Sequence, residues 1–228
     1  MSKTALVTGA SRGIGQAIAA DLARDHRVFG GASKLPESSS GPVEFFATDL
    51  AASPLDLSAL PDIDSLDVLV HNAGIGIEKR LEESTREDWE RSFAVNVFAV
   101  ADITRHYLPA LRAAKGTIVF INSGSGMMSY AKGLPYTGTK FALRTLADCL
   151  REEVRADGIQ VVSVHPGFVD TDMGRGIRAD HGVPYDPDTF IRPETMAQAV
   201  RVAVDSEPAA QFESIVVRPM NKGPEQLT

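Results

Sequence analysis

The sequence predicts an α/β fold: a doubly wound, mostly parallel seven-stranded sheet with helices on both faces, in a single domain spanning 1–228. Three observations carry this expectation. Seven short segments are near-continuous apolar runs rather than apolar–polar alternations, as expected for parallel strands covered on both faces. Helical periodicity separates most of these runs, which implies right-handed crossovers with helices on either side of the sheet. Directly after the first run comes the glycine-rich turn Thr8-Gly9-Ala10-Ser11-Arg12-Gly13-Ile14-Gly15, which opens the first helix.

In chain order, the strands are expected at 5–7, 28–29, 43–46, 66–70, 117–121, 159–164 and 215–217. The first helix covers 14–24, followed by a short one at 55–60, a long one at 86–114, and two more at 136–157 and 193–205. Two stretches break the rhythm. Residues 34–42 form only a Ser/Pro/Gly-rich bridge where a full helix would fit, so that edge of the sheet should be thin. Residues 171–192 carry Gly174, Gly176, Gly182, Pro184 and Pro187 among many charges and are too long for a simple connector. This stretch reads as a substrate loop or lid, mobile until a ligand lies beneath it, with Met173 and Phe190 as the apolar contacts that hold it down. The alternative is a helical cap that is permanently packed.

Composition narrows the function classes. The chain has 228 residues, enough for one sizeable core, burying about 70–75% of the unfolded surface. A net charge of −7 supplies no basic field for phosphate polymers, which argues against nucleic-acid binding. No run approaches the roughly 18 apolar residues of a membrane span, and Met1-Ser2-Lys3-Thr4 leads into a strand without a signal-peptide pattern. The single cysteine, Cys149, cannot form an internal disulfide and sits in an apolar helical pattern, so it reads as a small buried hydrophobe. A cytoplasmic protein is expected, without a metal, since no His/Cys/Asp cluster has ligand spacing.

The glycine turn is a place to hold a dinucleotide pyrophosphate. Gly9 allows a sharp turn, Gly13 and Gly15 allow close backbone approach, and the helix N-terminus offers free N–H groups and partial positive charge. Ser11, Arg12 and Ile14 belong to the same cradle. The second strand ends in Gly30-Gly31-Ala32-Ser33-Lys34, with no acid until Glu37. An acid there would bond a ribose 2′-OH, whereas Ser33 and Lys34, with Arg12 opposite, suit a 2′-phosphate. The expected cofactor is therefore NADP(H) rather than NAD(H).

A second set handles protons. Tyr136 and Lys140 are one helical turn apart in Tyr136-Thr137-Gly138-Thr139-Lys140, and Ser123 lies thirteen residues upstream, at the carboxyl end of a strand. A phenol near pKa 10 is a poor base, and bringing it down by about three units requires about 4 kcal/mol of phenolate stabilisation. The Lys140 ammonium is the expected source. Ser125 is the competing serine.

Together these motifs resemble the short-chain dehydrogenase/reductase family in its short, single-domain, Rossmann-type form, and the resemblance runs from residue 4 to residue 217. It implies an oxidoreductase that moves hydride between nicotinamide and a small carbonyl or secondary alcohol, with Tyr136 as acid/base beside Ser123, Lys140 and Asn96. It places Asp49 and Leu50 at the adenine. Asn72, Ala73 and Gly74 lie along the cofactor, with His71 a structural substitution for the usual first Asn. Pro166, Gly167, Val169 and Thr171 close the nicotinamide end, and His165 before them reads as a strand-end residue. The family usually forms homodimers or homotetramers, and Phe98, Tyr107, Leu111, Phe141 and Leu150 read as apolar surplus for that purpose. Two other readings compete. One is an NADP(H)-sensing module without turnover, which would not need the Ser/Tyr/Lys set. The other is an extended epimerase or dehydratase, which uses a different glycine spacing.

Overall fold

The structure, a computed structural model, describes residues 3–36, 41–207 and 209–221. Met1, Ser2 and Glu37 lie outside the described residues, and the 34–42 bridge is described only at its ends. Strand β1 (Lys3–Thr8) enters α1 (Gly13–Leu22) through the glycine turn, and β2 (His26–Ala32) and β3 (Val43–Ala47) follow. After β4 (Val68–His71) come the two-residue β5 (Glu78–Lys79), α2 (Arg86–Phe93), a π turn (Ala94–Phe98) and α3 (Ala99–Ala114). Then come β6 (Thr117–Ile121), the short β7 (Leu134–Pro135), α4 (Tyr136–Val154) and β8 (Gln160–Pro166). The chain continues through α5 (Asp172–Asp180) and α6 (Pro193–Val204) to β9 (Ser214–Val217).

Seven strands form one sheet in the order β3-β2-β1-β4-β6-β8-β9, every neighbouring pair parallel. Strand parity divides the core. Ala5, Val7, Val68, Val70, Val119, Ile121, Val162 and Val164 pack on one face with Ile18 and Leu22 of α1 and Met196 and Val200 of α6. Leu6, Leu69, Ile118, Phe120 and Val161 turn to the other face, under Val100, Ile103, Tyr107 and Leu111 of α3 and Leu143, Ala147 and Val154 of α4. Both faces of the middle strands are buried, which is why their sequences read as unbroken apolar runs.

Several elements depart from the sequence expectation. The 55–60 helix shrinks to one 3₁₀ turn, Leu57–Ala59. The long 86–114 helix starts on a Thr85/Asp88 capping box, with Asp88 N donating to Thr85 Oγ1 at 3.2 Å and Thr85 N to Asp88 Oδ2 at 2.8 Å. It is then interrupted by the π turn around Asn96. Tyr107, Leu111 and Leu150 are not surplus for an interface: they face the sheet at helical spacing and belong to the core, whereas Phe98 and Phe141 are exposed. Cys149 is exposed, because Ala147 and Leu150 on either side of it already fill the core-facing positions of α4.

The 171–192 stretch folds more than a polar loop would. The Thr171 hydroxyl caps α5 by accepting from Gly174 N at 3.1 Å. At the far end, Pro187–Thr189 forms a 3₁₀ turn, and Val169 and Ile191 pair as an isolated parallel bridge. Arg178, Val183, Thr189, Phe190 and Ile191 are buried. Phe190 packs inside as expected, but Met173 at the other end is exposed. Among the described residues, no helix is long and apolar enough to cross a membrane.

Leu6 is fully buried at the centre of the sheet. Leu6→Ala should lower the folding free energy by about 2–5 kcal/mol, measured as a drop in the urea midpoint without a change in slope.

Candidate active site

The seven parallel strands point their carboxyl ends toward one cleft of about 1310 Å³, where an open α/β sheet binds ligands. The glycine turn forms one wall. Gly9 (φ +65°) and Gly13 (φ +56°) occupy backbone space that disfavours other residues, and a Cβ on Gly9 would sit 2.9 Å from Ala73 Cα. Gly15 has a packing role instead: its Cβ would lie 2.2 Å from Gly9 O and 2.3 Å from Asn72 Nδ2, so it lets α1 approach β1 and β4. The start of α1 has no side-chain cap and no acid in its first turn, so its free N–H groups face the cleft at Ser11, Arg12, Gly13 and Ile14. A bare helix N-terminus beside two strained glycines fits a pyrophosphate.

Other predicted cofactor residues line the same cleft: Ser33, Asp49 and Leu50 at one end, Asn72, Ala73 and Gly74 in the middle, and Pro166, Gly167, Val169 and Thr171 at the other. Lys34 is exposed and is not part of the wall. Arg12 is paired with Asp172 at the start of α5, at 3.3 Å, rather than standing free beside Ser33.

Asn72 stitches the cleft together. Its amide donates to Thr8 O and Gly9 O, both at 3.0 Å, and its backbone N–H donates to Thr8 Oγ1 at 3.0 Å. His71 just before it is buried against Phe120, and its Nε2 meets Thr104 Oγ1 at 2.8 Å. Since that hydroxyl donates to Val100 O, it accepts from the Nε2–H of a neutral imidazole. Burial pushes the His71 pKa down to about 3. It is a core residue, as its place in the motif suggested.

The proton-handling residues meet on the opposite wall. Ser123, Tyr136 and Lys140 all line the cleft. Ser123 caps the turn Gly124–Gly126, its Oγ accepting from Ser125 N at 3.1 Å, while its carbonyl accepts from His165 Nδ1 at 3.1 Å. His165 thus holds the serine turn, a task its strand-end position did not reveal. Burial raises the Tyr136 phenol to about 12, the Ser123 hydroxyl works the other way, and the charge of Glu78 raises it further. Lys140 Nζ lies 5.7 Å from the centre of the Tyr136 ring and donates to Ile121 O at 3.1 Å. Its ammonium stands over the Tyr136 ring. Burial lowers Lys140 itself to about 8.

Asn96 is 1% exposed, and its side chain is spent on structure. It accepts from Ile75 N and donates to Ile75 O, both at 2.9 Å, and donates to Thr139 Oγ1 at 3.0 Å. It clamps the loop after β4 onto α4, and the π turn in which it sits is a feature frequent at functional sites.

A partly buried chain of polar groups, not foreseen from the sequence, completes this wall. Ser125 Oγ and Tyr130 Oη are 2.9 Å apart, Tyr130 donates to Glu78 Oε1 at 2.6 Å, and His181 Nε2 meets Glu78 Oε2 at 3.0 Å. Ser125 belongs to this chain, whereas Ser123 Oγ turns back to Ser125 N. Glu78 is carried on β5, which pairs with β7 immediately before Tyr136, so the carboxylate is fixed close to the phenol. No local pattern announces a glutamate that meets its partners 52 and 103 residues away.

With this geometry in place, the comparisons with known proteins have a clear meaning. Residues 3–182 match the family model described as short chain dehydrogenase. The chain is 32% identical to a serine 3-dehydrogenase of Agrobacterium fabrum over 186 residues, covering 76% of this chain and 74% of that one. Among solved structures it superposes with TM-score 0.82 and 29% identity on an alcohol dehydrogenase of the archaeon Thermococcus sibiricus complexed with 5-hydroxy-NADP, covering 98% and 99% of the two chains. A 3-oxoacyl-[acyl-carrier protein] reductase from Brucella melitensis in complex with NAD gives 0.82 at 25% identity, with 95% of each chain covered. The chain belongs to the short-chain dehydrogenase/reductase family and is an oxidoreductase of that family.

The neutral, buried His71 generates a pH prediction. Its folded pKa is depressed below the ordinary 6.5, so between about 6.5 and about 3 the unfolded chain binds a proton that the folded one refuses. Its contribution to stability is present above the unfolded value and is lost as pH falls through this window. His71→Asn should flatten the acid limb of a plot of unfolding free energy against pH, measured by urea titration from pH 7 to pH 4.

Proposed function

We propose that this chain is an NADP(H)-dependent oxidoreductase that interconverts a small carbonyl compound and its alcohol, with Tyr136 as the acid/base. The observation that carries this reading is the meeting of Ser123, Tyr136 and Lys140 on the cleft that the uncapped start of α1 opens from the other side. The backbone of Gly9, Ser11, Arg12, Gly13, Ile14 and Gly15 would hold the pyrophosphate. Ser33, Lys34 and Arg12 would meet a 2′-phosphate once Arg12 exchanges Asp172 for it, and Asp49 with Leu50 would receive the adenine. Asn72, Ala73 and Gly74 would run beside the central part. Pro166, Gly167, Val169 and Thr171 would frame the nicotinamide.

When bound, the nicotinamide supplies hydride to the substrate carbon or takes it back. The protein handles the oxygen. In reduction the Tyr136 phenol gives its proton to the carbonyl oxygen, and the Ser123 hydroxyl donates a hydrogen bond to the same atom, placing it for transfer. A phenol raised to about 12 keeps its proton at neutral pH, the form reduction needs. Lys140, already lowered to about 8, can return a proton toward the phenol, and Asn96 keeps the loop and α4 in register while this happens. In oxidation the same groups act in reverse. The 171–192 segment is a substrate lid, with α5 covering the reaction from water. The exposed Phe98 and Phe141, on α3's start and on α4, suit a homodimer or homotetramer.

Mixing the protein with NADPH and a panel of ketones and aldehydes should produce a fall in cofactor absorbance, whereas a sensor would bind and not turn over. Tyr136→Phe keeps the ring and removes the transferable proton. Turnover should drop by about 10²–10⁴-fold with NADPH binding retained, and more than a tenth of wild-type activity would remove Tyr136 from its role. For the cofactor, titration should give NADPH at least about tenfold tighter binding than NADH, worth about 1.4 kcal/mol. Lys34→Asp should narrow or reverse that preference, and equal wild-type affinities would overturn the 2′-phosphate reading.

A further inference from the structure

Arg178 stands out among the groups lining the cleft. It is only 4% exposed, yet among the described residues no carboxylate lies within ion-pair distance of it. Its guanidinium carbon lies 5.3 Å from the centre of Phe168 and 5.1 Å from that of Phe190, two rings that meet edge to face with their centres 6.3 Å apart. One Nη donates to Thr189 Oγ1, whose own proton goes to Asp186 O at 2.7 Å. The two rings and one neutral oxygen steady the cation without neutralising it. A buried charge lacking a counter-ion is costly, so its retention in a ligand cavity calls for an explanation.

The acids that line the cleft are each accounted for. Asp49 accepts from Ala51 N, and Glu194 is exposed in the first turn of α6. Asp170 is bound by Arg175 and Tyr185, and Asp172 by Arg12 and Arg175. Glu78 is shared by Tyr130 and His181. No acidic side chain of the wall serves Arg178.

Its location selects a substrate anion. His181 lies three residues further along the end of α5, about one turn away, and bonds Glu78, whose charge reaches Tyr136. Arg178 lines the same cleft as Ser123, Tyr136 and Lys140. Phosphates have their own site at the start of α1. A planar guanidinium that spends one Nη on Thr189 keeps further N–H donors in a fixed fork, which suits the two oxygens of a carboxylate.

We infer that Arg178 is the anion anchor of the substrate site, and that the substrate is a hydroxy acid or oxo acid whose carboxylate docks on it. The inference rests on the reading of this cleft as a carbonyl/alcohol site and names its substrate class. The test uses 2-, 3- and 4-hydroxybutyrate, each beside its methyl ester, with the full-length protein and NADP⁺. Both cofactor reduction and calorimetric binding are measured. At least one acid should be preferred over its ester by tenfold or more in kcat/KM. Arg178→Met should bring that ratio close to one, with Arg178→Lys in between. The wild-type ratio needs no variant, so the test stands even if Arg178→Met fails to fold.

Wild-type protein that treats acids and esters alike overturns the anchor. So does a variant that loses acid and ester activity in proportion, which would mark Arg178 as a clamp for the lid. An unchanged acid/ester ratio with a tenfold loss of NADPH affinity would assign the guanidinium to the cofactor and also overturns it. Acids that bind more tightly than esters without any turnover would support the anchor while removing the hydride-transfer reading. If no compound of the series binds or reacts, the proposed substrate class is wrong.

Discussion

The site depends first on the side-chain amide of Asn72. Two carbonyls of the glycine turn, at Thr8 and Gly9, would otherwise point into the gap between β1 and β4 without partners, and one NH₂ group satisfies both at 3.0 Å. Thr8 returns the favour through its hydroxyl, which accepts from the backbone N–H groups of Asn72 and Ala73. The turn, the loop after β4 and the start of α1 thereby become one rigid piece. Gly15 is required by the same knot, since any side chain there would displace the amide. This knot fixes the backbone at the start of α1 before any ligand arrives, the pre-ordering that the proposed phosphate cradle would need.

A second rigid piece carries Tyr136 and Lys140, and the two are coupled through Asn96. Its amide locks the loop after β4 to α4, the helix that begins with Tyr136 and carries Lys140 one turn later. A local helical preference would not choose Asn at this position, and the backbone responds by widening into a π turn. Polar contacts that tie distant segments together therefore take precedence over helical regularity where the cleft is built.

This division also explains how much of the protein can be read from its sequence. The strands were legible because each middle strand is buried on both faces, which leaves a contiguous apolar signature. The glycine turn and the Tyr136/Lys140 spacing were legible because their geometry is local, set by one turn of chain or one turn of helix. Tyr107, Leu111 and Leu150 misled because an apolar helix position looks the same whether it meets the sheet or another molecule. The 171–192 segment misled in the opposite direction: its polar composition hides a helix capped by Thr171 and closed by aromatic packing around Arg178. Glu78, Tyr130, His165 and Arg178 were illegible for a common reason. Each acquires its meaning from partners that the fold brings in from elsewhere.

The strand order has a consequence for how the chain assembles as it is made. β2 adds beside β1, and β3 beside β2; β4 then takes the other side of β1, and β6, β8 and β9 extend that side in turn. Every strand thus meets an edge that already exists, and none has to be inserted between two earlier ones. A chain emerging from its N-terminus can grow this sheet outward by simple accretion, with no paired strands to separate along the way. β1, the glycine turn, α1 and β4 therefore come together within the first third of the protein, Ser123, Tyr136 and Lys140 follow with β6 and α4, and the turn at Ser123 gains its His165 contact only with β8.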